Sequence, residues 1–148
     1  MAYSTLTGAV LGAVLCGALV TSAHAGEYTI VNSTIPASLT GKAGNPANGK
    51  KLAISKKKGN CLACHVMPIP EQQFHGEIGP DLTSVASYMS DAELRMRLVD
   101  PKILNPDTIM PSFLKEPKTR VMKKFRGKTI LKAQEVEDII AYLKTLKG

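Results

Sequence analysis

Val136, Ile139, Ile140, Leu143 and Leu146 recur at helical spacing and form one apolar stripe, which predicts a helix over about 133–146. Ser90-Asp91-Ala92-Glu93 reads as a capping box, and Leu94, Leu98 and Val99 supply the apolar side of a helix over 91–99 that Asp100-Pro101 ends. A third helix is predicted from Asn45, as N-cap, and Pro46, at the first helical position, to about Ile54; Gly49 leaves room for another helix to cross closely. Among the basic residues of 115–129, Val121, Met122 and Phe125 stand at i, i+1 and i+4 and predict a short helix or turn. The loops are marked as clearly: Pro68, Pro70, Gly76, Gly79 and Pro80 punctuate 66–82, and prolines bound 102–113 around Met110. Tyr28-Thr29-Ile30-Val31 is strand-like, but Ser, Thr, Pro and Gly come after it, so 26–44 is expected to be an extended arm lying on the domain or on a partner.

The remaining apolar run, Gly8 to Val20, carries no charge and precedes Ala23-His24-Ala25. Its 13 residues are too few to cross the roughly 30 Å of a bilayer as a helix, so 1–25 is expected to be a cleaved secretory signal that leaves no membrane anchor. Leu15 before Cys16 argues against a lipoprotein anchor. The mature chain is expected to consist of the arm and one all-α domain over 45–148. The formal net charge of +7 lies wholly beyond the signal and favours acidic protein surfaces; a secreted destination argues against nucleic acid.

Beyond the signal the only cysteines are Cys61 and Cys64, in the run Cys61-Leu62-Ala63-Cys64-His65. Cysteines three apart share one side of a helical turn, so both sulfurs reach the two vinyl groups of one haem, and His65 sits under the iron. A bare C-x-x-C also suits a redox dithiol or half a zinc site, but no second C-x-x-C, no histidine pair at zinc spacing and no βαβ pattern accompanies it. No thiol is left for a disulfide, so the porphyrin of a single haem c must centre the core. The second ring N–H of His65 is expected to find a carbonyl beside Pro80. Lys56, Lys57 and Lys58 read either as a solvated face or as a rim that orients an acidic redox partner at the haem edge.

The sixth ligand decides the chemistry. Methionine opposite histidine favours reversible one-electron transfer at raised potential, whereas an open site favours ligand binding or oxygen chemistry. Met67 is two residues from His65 and cannot reach the far face; Met89 and Met96 read as core. Met110 is the leading candidate, 45 residues downstream in a loop that Pro111 stiffens. Met122, His75 and an open site stay as alternatives.

These features together resemble the class I cytochromes c over nearly all of 45–147: Gly49-Lys50-Lys51-Leu52, the Cys61 to His65 motif, Gly79-Pro80-x-Leu82, Met110-Pro111, and Asp138-Ile139-Ile140-Ala141-Tyr142-Leu143. More narrowly, Lys58-Gly59-Asn60 before the motif, Asn105-Pro106-Asp107-Thr108-Ile109-Met110-Pro111-Ser112-Phe113 and Phe125-Arg126-Gly127-Lys128 are similar to the SoxX family, the monohaem subunits of SoxAX cytochromes of bacterial sulfur oxidation. One departure is Lys132, where that family usually caps its last helix with Ser, Thr or Asp; a lysine cannot accept the N3 amide, so that helix is expected to fray or to start elsewhere.

The resemblance implies a class I cytochrome c fold with His65 and Met110 as axial ligands, in a periplasmic heterodimer with a SoxA-type cytochrome. Such a pair acts as an L-cysteine S-thiosulfotransferase, coupling thiosulfate oxidatively to a cysteine of a sulfur-carrier protein and passing electrons to a small acceptor cytochrome c. Sulfur chemistry falls to the partner, because Cys61 and Cys64 are committed to haem. A free-standing electron shuttle, an open-haem enzyme and a zinc or dithiol module are the other readings; the arm over 26–44 is expected to separate subunit from shuttle.

Overall fold

The computed structural model describes residues 28–116, 123 and 126–148; the expected signal over 1–25 and the Val121, Met122 and Phe125 group lie outside the described residues. Three helices carry the chain: α1 over Pro46–Ile54, α2 over Asp91–Val99 and α3 over Ala133–Leu143. Short 3-10 turns over Cys61–Ala63, Val85–Ser87 and Pro101–Ile103 join them. The local signals work as expected at two starts. Asn45 accepts the Asn48 N–H ahead of Pro46, and Ser90 and Glu93 complete a reciprocal capping box.

The start of α3 departs from expectation. It begins at Ala133 directly after Lys132, although Lys132 provides no side-chain acceptor. The Glu135 carboxylate accepts the Lys132 N–H at 2.8 Å, and Lys58 Nζ holds the same carboxylate at 2.8 Å. Half of a capping box therefore suffices once a distant lysine fixes the glutamate. Lys58 is thus committed to α3, while Lys56 and Lys57 are exposed.

All five residues of the C-terminal apolar stripe are buried, together with Leu52 and Ala53 of α1 and Leu94, Met96, Leu98 and Val99 of α2. α1 crosses α3 at backbone contact. A Cβ on Gly49 would lie 1.9 Å from the Asp138 carbonyl oxygen and 2.9 Å from the Tyr142 Cβ. Asp138 also takes hydrogen bonds from the Asn45 N–H at 2.8 Å and from Asn48 Nδ2 at 2.7 Å. Burial alone would raise this carboxyl, but the hydrogen bonds from Asn45, Asn48 and Gln134 outweigh it and hold the group below its usual value. Its contribution to stability is therefore present above the ordinary aspartate pKa and is lost as pH falls through the lowered value.

Gly49→Ala separates two opposing effects. Helix propensity alone predicts a gain of about 1 kcal/mol, whereas a clash against backbone forces α1 and α3 apart at about 1–3 kcal/mol or more. A net loss is expected in urea unfolding. A gain would mean the two helices separate freely.

The arm lies on its own domain. The Ile35 N–H donates to the Ala92 carbonyl at 3.1 Å, its side chain is fully buried, and the Leu39 N–H donates to Glu137 Oε1 at 2.9 Å. The Thr40 hydroxyl donates to Gln134 Oε1, and Gln134 Nε2 donates to the Ala43 carbonyl. The described part of the arm, 28–44, thus spans α2 and α3 of the same chain. Among the described residues Tyr28–Val31 has no partner strand; Val31 and Thr34 exchange both backbone hydrogen bonds at 2.9 Å around a turn in which Asn32 and Ser33 have φ of 47° and 60°. Among the described residues no helix is long and apolar enough to cross a membrane.

Candidate haem site

The chain leaves α1 through a tight reversal that delivers the cysteines. The Gly59 N–H returns to the Leu52 carbonyl, and Asn60 turns the backbone at φ 48°, a left-handed conformation that asparagine tolerates. Leu62 is buried and anchors the 3-10 turn, on which Cys61 and Cys64 are both half-buried free thiols. The His65 N–H reaches the Cys61 carbonyl at 2.9 Å and closes a helical turn across the motif. Burial pushes the Cys61 thiol up to about 11.

The loop over 66–82 closes beneath the motif. The Gly76 N–H donates to the Leu62 carbonyl and the Gly79 N–H to the Cys64 carbonyl, both at 2.7 Å. At Gly79 a Cβ would fall 2.3 to 2.9 Å from three atoms of the His65 ring, so this position is pressed flat against the imidazole. Nδ1 of His65 donates to the Pro80 carbonyl oxygen at 2.7 Å, as the spacing led one to expect. With that hydrogen on Nδ1, Nε2 is bare and able to ligate a metal. Of the other sequence candidates, His75 is held in the same loop, where its Nδ1 accepts the Met67 N–H at 3.3 Å.

Met110 is half-buried and packs against the core. Its N–H donates to Thr108 Oγ1 at 3.2 Å, and downstream the Phe113 N–H donates to the Leu98 carbonyl at 3.0 Å. Met67 and Met96 are core residues, Met89 is half-buried beside them, and Met122 lies outside the described residues. A haem fits these surroundings on three observations. Two thiols at thioether spacing are unbridged, an oriented imidazole offers Nε2, and His75 Nε2 is a buried polar atom with no partner among the described residues. A group that carries its own acceptors would satisfy such an atom.

Sequence reasoning passed over Asp100, which it took only as a helix stop. The residue is 1% exposed and accepts from Ser112 Oγ at 2.7 Å and from Lys115 Nζ. No local signal marks such burial, because the partners come from a later loop.

Comparison with known proteins decides the family. The model of the cytochrome c family matches residues 46–147. The chain belongs to the cytochrome c family. This cytochrome c is 31% identical to cytochrome c2 of Rhodospirillum rubrum over 119 residues, 70% of this chain and 82% of that protein. It is also similar to a chain of the SoxXA crystal structure from P. pantotrophus, with 36% identity and a TM-score of 0.75 over 82% of this chain and 96% of that one. The architecture is the all-α class I cytochrome c fold, and the cofactor is covalently bound haem c, whose attachment motif is matched by Cys61, Cys64 and His65.

Proposed function

We propose that this cytochrome c is the electron-transfer subunit of a SoxAX-type heterodimer, an L-cysteine S-thiosulfotransferase. The observation that carries the reading is the likeness to a chain of SoxXA along 96% of that chain's length. Haem c supplies a one-electron couple. Cys61 and Cys64 would tether it, and His65 Nε2 and the Met110 sulfur would hold the iron, a pair that would raise the potential. Gly79 and the Pro80 carbonyl hold the imidazole in one orientation and one tautomer.

In the reaction assigned to the pair, a sulfur–sulfur bond forms between thiosulfate and a carrier-protein thiol, with loss of the thiol proton and two electrons. This chain has no spare thiol beyond residues 1–25, so bond formation belongs to the SoxA-type partner and this subunit relays electrons to a small acceptor cytochrome c. Secretion to the periplasm through residues 1–25, with the arm over 26–44 and the haem domain over 45–148, completes the reading. Exposed Lys56 and Lys57 suit an acidic acceptor surface, where long-range attraction raises encounter rates.

One observation favours a second reading, a free-standing shuttle. The arm folds back on its own helices, so its presence does not demand a partner. The tagged chain, purified from the periplasm of its host grown on thiosulfate, is expected to bring an equal amount of a larger c-type cytochrome. That pair should show thiosulfate-dependent haem reduction. A lone monohaem protein would leave the shuttle.

A further inference from the structure

Asp100 occupies a place where a carboxylate is expensive. It is 1% exposed, and it comes directly after the last residue of α2, the end at which the helix dipole disfavours negative charge. Neither fact suits a residue kept for the stability of α2.

Its partners explain the placement. Oδ1 accepts from Ser112 Oγ at 2.7 Å, and Oδ2 accepts from Lys115 Nζ. Two residues on, Lys102 Nζ donates to the Thr108 carbonyl at 2.6 Å, and Thr108 Oγ1 in turn takes the Met110 N–H. The single 3-10 turn over Pro101–Ile103, with Asp100 at its head, thus grips the loop before Met110 through Lys102 and after it through Asp100. Burial alone would raise the Asp100 carboxyl; the hydrogen bonds from Lys115 and Ser112 and the nearby ammonium charge outweigh it and hold the group below its usual value.

We propose that Asp100 is the positioning residue for the sixth ligand: it clasps the loop on the far side of Met110 and so sets how firmly the methionine sulfur is held against displacement from the iron. The inference rests on the reading of Met110 as that ligand. A loop fastened on both sides gains little freedom when its ligand leaves, so the bond reforms readily; a loop released on one side loses that advantage. Asp100 acts through Ser112 and Lys115.

The test is a titration of the ferric holoprotein with imidazole, monitored at the sulfur-to-iron charge-transfer band. Asp100→Ala should bind imidazole about tenfold more tightly or more, the scale of lost charge-assisted hydrogen bonds. Ser112→Ala removes one strut, is the milder change if Asp100→Ala fails to fold, and should shift affinity in the same direction by less. Arg95→Ala lies at the arm rather than at this loop; it should lower unfolding stability and leave imidazole affinity near wild type. Wild-type imidazole affinity in Asp100→Ala, or an equal shift in Arg95→Ala, would overturn the clasp while leaving Met110 as ligand. A sulfur-to-iron band that is absent from the wild type, or that survives in Met110→Ala, would overturn the Met110 reading itself, and the clasp with it.

Discussion

With Met110 as the proposed sixth ligand, Met110→Ala is expected to leave haem c attached and the iron without a sulfur ligand. Attachment depends on Cys61 and Cys64 in a turn that does not involve residue 110, so the covalent bonds and the His65 side are unaffected. Alanine offers no sulfur, and the ferric iron should change from low to high spin, lose the sulfur-to-iron band and accept cyanide or imidazole readily. The potential should fall by a sizeable part of the roughly 0.8 V over which axial ligands tune haem. Ferric absorption spectra and potentiometric titration read both changes. An unchanged spectrum would send the assignment elsewhere, with Met122 the next methionine downstream.

Arg95→Ala should cost about 3–5 kcal/mol, a large share of the roughly 5–15 kcal/mol that holds an ordinary domain together. Arg95 and Glu137 are 5% and 6% exposed and form a two-pronged pair, Nε to Oε1 at 2.7 Å and Nη2 to Oε2 at 3.0 Å. Both ends also bind the arm: Nη1 donates to the Ile35 carbonyl at 2.7 Å, and Glu137 Oε1 accepts the Leu39 N–H. Removing the arginine leaves a carboxylate buried without its counter-charge and takes away one of the arm's ties to α2, the bond from the Ile35 N–H to the Ala92 carbonyl remaining. Replacing both partners by apolar residues should recover only part of the loss, because the Ile35 carbonyl and the Leu39 N–H then lack partners. Urea unfolding of the ferric holoprotein measures each variant. A loss of about 0.5 kcal/mol or less for Arg95→Ala, the range of ordinary surface changes, would show that the pair does not join the elements.

The two variants fall on opposite sides of what a sequence reveals. Met110, the proposed ligand, stands out by its own surroundings, a methionine beside proline in a loop 45 residues beyond His65. Arg95 and Glu137 look like ordinary charged helix positions, yet each is buried and hydrogen-bonded to the arm. Their partners stand 42, 60 and 98 residues away, beyond any pattern of spacing. Lys58 teaches the same lesson with the opposite sign. In the sequence it belongs to a run of three lysines, but 77 residues later Glu135 claims it and turns a candidate steering charge into the support of an uncapped helix.

Caps, helical periodicity and thioether spacing act within a few residues, so the haem motif, the positions of α1 and α2, the apolar stripe of α3 and the room for a close crossing at Gly49 could be read along the chain. Tertiary packing alone settles where the arm lies, which lysine is tied to a helix and which carboxylates are buried. It also brought Asp100 to the loop that carries Met110. Such facts depend on which distant segments meet. A buried charge is tolerated only where those segments deliver its partners, so its meaning appears only once the chain has closed on itself.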